Sequence, residues 1–155
     1  MIFNRQRRIR VSVKELTTFL ARARRALGIP ANAVAVCLVT DAQIARWNRA
    51  YRGKNRATDV LSFPADGARS SAKFPEGANP RRKFATRSAA KYFGDIAIAP
   101  AVAQRNARRF GRTLPEELRI LILHGALHLM GYDHETDTGQ MDRREKTLRR
   151  KLGIA

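Results

Sequence analysis

Apolar residues recur at helical spacing between Ser12 and Leu27, with Leu16, Phe19, Leu20, Ala23 and Leu27 on one stripe. The pattern predicts an amphipathic helix with an Arg-rich outer face, stopped by Gly28 and Pro30. Val34 to Val39 is a short, unbroken, apolar run rich in β-branched residues, and it reads as an inner strand. Thr40 followed by Gln43 resembles a capping box that opens a helix running through Trp47. Asp59 to Phe63 and Asp95 to Ala99 are two more short strands, and Pro100 begins an Ala- and Arg-rich helix that ends near Gly111. Another helix follows at once: Thr113 caps it, Pro115 lies in its first turn, and Glu116 and Glu117 face the positive end of its dipole. It runs to about Met130. Asp137 to Leu152 forms a basic closing helix with Gly153 just past its end.

Between Ala65 and Phe93 this patterning lapses. Gly, Pro, Ser and Ala dominate, and Arg69, Lys73, Arg81, Arg82, Lys83, Arg87 and Lys91 outweigh Asp66 and Glu76. The expectation is a long, flexible basic loop over about 65–92, either a solvated insertion or a grip on nucleic acid. There is no internal repeat. A chain of 155 residues with 44% hydrophobic content can bury one core, so a single domain over 1–155 is expected.

Charge sharpens the picture. Against 13 Asp plus Glu stand 31 Lys plus Arg, a formal net charge of +18, which points to a polyanionic partner. Of those 31 cations 24 are Arg, whose planar fork grips phosphate in two places, although a genomic bias toward Arg gives the same count. The charge is scattered along the chain, not gathered on one amphipathic helix or tail, which favours nucleic acid over a membrane surface. The single Cys37 lies in the apolar strand and cannot form an internal disulfide, as in a reducing compartment. Met1, Ile2 and Phe3 give way directly to Asn4-Arg5-Gln6-Arg7-Arg8 with no apolar leader, so the expected location is cytoplasmic.

All three histidines fall between positions 124 and 134, in the run His124-Gly-Ala-Leu-His128-Leu-Met-Gly-Tyr-Asp-His134. Histidines four apart project from one helix face and can reach one ion, and Gly131 can turn the chain back so that His134 joins them. Neutral imidazole suits zinc, and three protein ligands, unlike the four of a closed structural site, leave a position for a water that the ion acidifies. Cys37 as a fourth ligand fits poorly, because it sits in a separate buried strand. The spacing also matches zinc peptidases of pattern HExxHxxGxxH, but Gly125 stands where their catalytic Glu would be. Proteolysis would therefore need Asp133 or Glu135 as base. For phosphodiester cleavage the ion and a nearby cation could supply most of the catalysis, by activating water and neutralising phosphate charge.

HGALHLMGYDH at 124–134, YRGKNRATDVLSFP at 51–64 and FGDIAIAP at 93–100 together resemble the YbeY endoribonucleases, bacterial rRNA maturation factors. The resemblance covers most of the chain outside the segment 65–92, which is longer and more basic than expected for the family. It implies a compact α/β (α+β) fold related to the zincins, with a small mixed sheet flanked by helices. It also implies one zinc ion on His124, His128 and His134, and single-strand-specific RNA cleavage in 16S rRNA 3′-end maturation and ribosome quality control. The implied partners are the 16S rRNA precursor, the ribosomal subunit, and ribosomal or assembly-factor proteins. Arg52, one arginine among many on residues alone, is implied to face the metal cleft and contact the RNA phosphate, making Arg52 and His124 the catalytic pair. Thr58, Asp59 and Asp95 either order that cleft or simply end strands, and Tyr132 and Asp133 either orient His134 or pack as ordinary loop residues. Two other readings stay open: a ribosome-assembly RNA-binding factor whose metal is structural, and the peptidase.

Overall fold

The computed structural model describes residues 1–65 and 92–154. The loop expected over about 65–92 lies outside the described residues, apart from Ala65 and Tyr92 at its ends. Four strands form one mixed sheet: β1 (Ile2–Asn4), β2 (Val34–Leu38), β3 (Val60–Pro64) and β4 (Gly94–Ile98), in the order β1-β2-β4-β3. β1 and β4 run parallel to β2, while β3 pairs antiparallel with β4 in a register that sets Ser62 against Ile96. The described helices are α1 (Val13–Leu27), α2 (Asp41–Arg52), α3 (Pro100–Arg109), α4 (Leu114–Leu129) and α5 (Gln140–Leu152). This is a small α+β fold, as expected. Among the described residues no helix is long and apolar enough to cross a membrane.

Alternation along the inner strands divides the core between the two faces of the sheet. Val34, Val36 and Leu38 of β2, with Ile96 and Ile98 of β4, turn to one face, where α1, α4 and α5 bury Leu16, Phe19, Leu20, Leu118, Ile122, Leu123, Leu127, Met141 and Leu148. Cys37, Val39, Ala97 and Ala99 turn to the other, with Leu61 and Phe63 of β3 and Ile44 of α2. Every residue of β2 and of β4 is buried, whereas the edge strand β3 alternates.

Beyond one-residue shifts at the strand ends, three features differ from expectation, two for a tertiary reason and one for a local cap. β1 has too few residues to show a period, but it satisfies the backbone groups along the free edge of β2. α2 continues past Trp47 to Arg52 because Trp47 and Tyr51 rest on Phe63, with ring centroids 6.1 and 4.9 Å away. α5 begins at Gln140, not Asp137, because the Asp137 carboxylate accepts from the backbone N–H of Gly139 (2.8 Å) and Met141 (2.9 Å) and so serves as a cap outside the helix. The expected cap of α4 is a full capping box. Thr113 Oγ1 accepts from Glu116 N at 3.4 Å and the Glu116 carboxylate accepts from Thr113 N at 2.7 Å.

Candidate metal centre

α4 owes its position to its apolar residues. Leu118, Ile122, Leu123 and Leu127 are at most 1% exposed and lock the helix onto the sheet and α1, leaving His124 and His128 half-buried on the side facing β3. The helix ends in a Schellman turn. Gly131 N–H donates to His128 O (3.0 Å) and Tyr132 N–H to Leu127 O (3.2 Å), with Gly131 at φ +98°, a conformation that glycine adopts without strain. That reversal brings the exposed His134 back over the helix end. Its ring centroid lies 5.5 Å from that of His124 and 5.3 Å from that of His128, and each of the three residues offers a nitrogen within 4.8 Å of the others.

The Nδ1 atoms of the two helix histidines are tied down. His128 Nδ1 donates to Tyr132 O at 3.0 Å and His124 Nδ1 donates to Glu145 Oε2 at 2.9 Å, so the two Nε2 atoms, 3.1 Å apart, face a common point. Burial, reinforced by the neighbouring His124 and His134, holds His128 below the usual imidazole range and so favours the neutral form that donates a lone pair to a metal. Burial works to raise the Glu145 carboxyl, but the hydrogen bond and charge of His124 and the charge of Arg149 outweigh it, and the group stays below the usual carboxylate range. Three convergent nitrogen donors, two of them with ring orientations fixed by hydrogen bonds, fit a divalent ion of the zinc type, and no cysteine takes part: Cys37 is buried in β2, on the opposite face of the sheet.

The histidines open onto a cleft of about 440 Å³ whose other wall includes Tyr51 and Arg52 at the end of α2, with Thr58, Asp59 and Ser62 along its side. Arg52 Nη2 lies 3.4 Å from Glu135 Oε1, an ion pair whose side chains are 38% and 64% exposed. Thr58 and Asp59 thus reach the cleft, and Asp59 is anchored by Asn106 Nδ2 at 3.1 Å. Asp95 does not reach it; fully buried in β4, it accepts from the Tyr92 hydroxyl at 2.6 Å. Tyr132, considered as a support for His134, instead offers its backbone carbonyl to His128, and Asp133 Oδ1 accepts from Glu135 N at 3.0 Å.

Two features bear on the chemistry. A side chain at 125 would point into the core, since a Cβ there would stand 2.8 Å from Ile96 Cγ2. A glutamate in the peptidase position therefore has no room on this helix. Glu145 was missed by sequence reasoning, yet a signal existed. It falls on the same stripe of α5 as the buried Met141, Leu148 and Leu152, and a carboxylate on an apolar stripe calls for a partner.

Fold and site together define a small α+β protein with a three-histidine cluster at a helix end, in a cleft that Arg52 also lines. A family model described as Endoribonuclease YbeY matches residues 1–153. Curated relatives of that name include one from Koribacter versatilis, 41% identical over 156 residues, which cover 99% of this chain and 86% of the relative. Another, from Moorella thermoacetica, is 37% identical and covers 90% of this chain and 85% of the relative. The solution structure of TM1509 from Thermotoga maritima superposes with a TM-score of 0.55 at 26% identity, covering 98% of this chain and 89% of that one. The chain belongs to the YbeY endoribonuclease family, and with it to the hydrolases that cut RNA.

Proposed function

We propose that this protein is a zinc-dependent, single-strand-specific endoribonuclease of the cytoplasm, acting in 16S rRNA 3′-end maturation and ribosome quality control, with residues 1–155 working as one catalytic domain. The observation that carries the reading is the convergence of His124, His128 and His134 within 4.8 Å, in a cleft that also presents Arg52. His124, His128 and His134 would hold one ion, which would supply polarisation of a phosphate oxygen and a water of lowered pKa. Arg52 neutralises charge on the phosphate. Its present partner, Glu135, is exposed, and an exposed ion pair contributes at most about 1 kcal/mol, so a phosphate displaces it readily. The net charge of +18 draws RNA to the surface, and ribosomal or assembly-factor proteins direct the enzyme to its site on the subunit.

The test is cleavage of a labelled RNA spanning the 3′ end of precursor 16S rRNA by zinc-loaded wild type, chelator-stripped protein, His124→Ala and Arg52→Ala. Cleavage by wild type alone places both the ion and Arg52 in the reaction. Equal behaviour of all four preparations refutes the nuclease reading for this substrate and leaves a ribosome-assembly factor with a structural metal as the reading to pursue.

A further inference from the structure

α5 is a basic surface helix, with Arg143, Arg144, Lys146, Arg149, Arg150 and Lys151 in its sequence, and its apolar stripe of Met141, Leu148 and Leu152 holds it to the rest of the fold. Glu145 breaks that stripe. Its side chain is only 13% exposed and both of its oxygens are engaged: Oε2 accepts from His124 Nδ1 at 2.9 Å, and Oε1 accepts from Arg149 Nη2 at 2.9 Å. An uncompensated carboxylate in such a place is costly, so the group stays only because its partners hold it. An acid needed merely to dock α5 could have met any cation. This one meets the Nδ1 of the imidazole whose Nε2 faces His128 Nε2 at 3.1 Å. The two helix histidines therefore differ: His128 is held by a neutral carbonyl and His124 by a carboxylate.

We propose that Glu145 is a positioning residue for the metal, fixing the ring and the Nδ1–H tautomer of His124 so that its Nε2 lone pair enters the cleft, with Arg149 holding the carboxylate in place. The inference rests on the three-histidine metal reading. A carboxylate behind a ligating imidazole both orients it and makes it a stronger donor than a carbonyl does. α5, distant in sequence from the cleft's arginine wall, thereby becomes part of the metal site.

Zinc affinity measured by competition with a chromophoric chelator tests this on wild type, Glu145→Ala, Glu145→Gln and His128→Ala, with circular dichroism confirming the fold of each metal-free protein. Glu145→Ala is expected to bind zinc about 10- to 100-fold more weakly than wild type. Glu145→Gln, which keeps the shape and an acceptor oxygen but not the charge, should fall between them. Wild-type affinity in a folded Glu145→Ala protein, whatever its melting temperature, overturns the proposal and leaves Glu145 as a structural tie between α5 and α4. If the alanine variant does not fold, the glutamine variant decides, and wild-type affinity there is the overturning result. His128→Ala separates the two levels. Should it bind zinc as tightly as wild type, the metal reading itself fails; should it alone lose zinc, only the role of Glu145 fails.

Discussion

The two walls of the cleft are built on different terms. The α4 wall stands on Ile122, Leu123 and Leu127, none of them exposed, and its Nδ1 atoms are held by a backbone carbonyl and a carboxylate. The α2 wall ends in Arg52, the last residue of its helix, whose side chain is 38% exposed and, among the described residues, tied to Glu135 alone by a 3.4 Å ion pair. The difference suits the roles proposed for the two walls. A metal needs its donors within a few tenths of an ångström, which calls for a packed and hydrogen-bonded scaffold. A phosphate on a flexible strand needs a cation that can follow it, which an unpacked arginine at a helix end supplies.

Four experiments break or sharpen that contrast. The largest effect is expected from Leu123→Ala, which empties a fully buried position beside His124 and should cost about 2–5 kcal/mol of folding free energy in denaturant titration. A loss near zero would show that α4 is not the rigid wall. Gly125→Ala comes next: the new methyl meets Ile96 Cγ2 at 2.8 Å and should cost about 1–3 kcal/mol by overpacking. A neutral result would reopen room for a side chain at that position.

Beneath the α2 wall, burial, and after it the charge of Asp95, push the Cys37 thiol up from 9.0 to about 12. A raised thiol stays neutral in the folded protein while the unfolded chain ionises, so the stability it contributes is complete below pH 9.0 and drains away as pH rises toward 12. Between pH 8 and pH 10 wild type should therefore lose about 1 kcal/mol more than Cys37→Ala. Parallel pH profiles would show that the base of this wall is open to solvent. The smallest effect is expected from Glu135→Gln, which should change stability by less than about 1 kcal/mol while raising RNA affinity by freeing Arg52. A larger loss of stability would make the pair a structural strut and the α2 wall as fixed as its opposite.

Much of the fold was legible because its signals are local. Thr40 and Thr113 cap the helices they were expected to cap, and the unbroken apolar run of β2 does lie inside the sheet. The end of α2 was missed, although Gly53, left-handed at φ +68°, marks it. Its last turn is held by Tyr51 resting on Phe63, a neighbour on another strand. β1 escaped notice for a similar reason, since three residues carry no period and the strand exists through its pairing with β2.

The site divides along the same line. Spacing alone put His124 and His128 on one helix face and marked Gly131 as the turn that returns His134, because a helix repeats every few residues and only local geometry is involved. Which nitrogen of His124 and of His128 faces the cleft was beyond the sequence: it depends on a carbonyl made available by the Schellman turn and on Glu145, contributed by a different helix. The sequence also left Arg52 among many equivalent cations, and it becomes distinct only where β3 and the end of α2 bring it to the same cleft as the histidines. Local pattern thus determined the donors, and tertiary packing decided their orientation and company, because orientation is set by atoms that are neighbours in space and strangers in sequence.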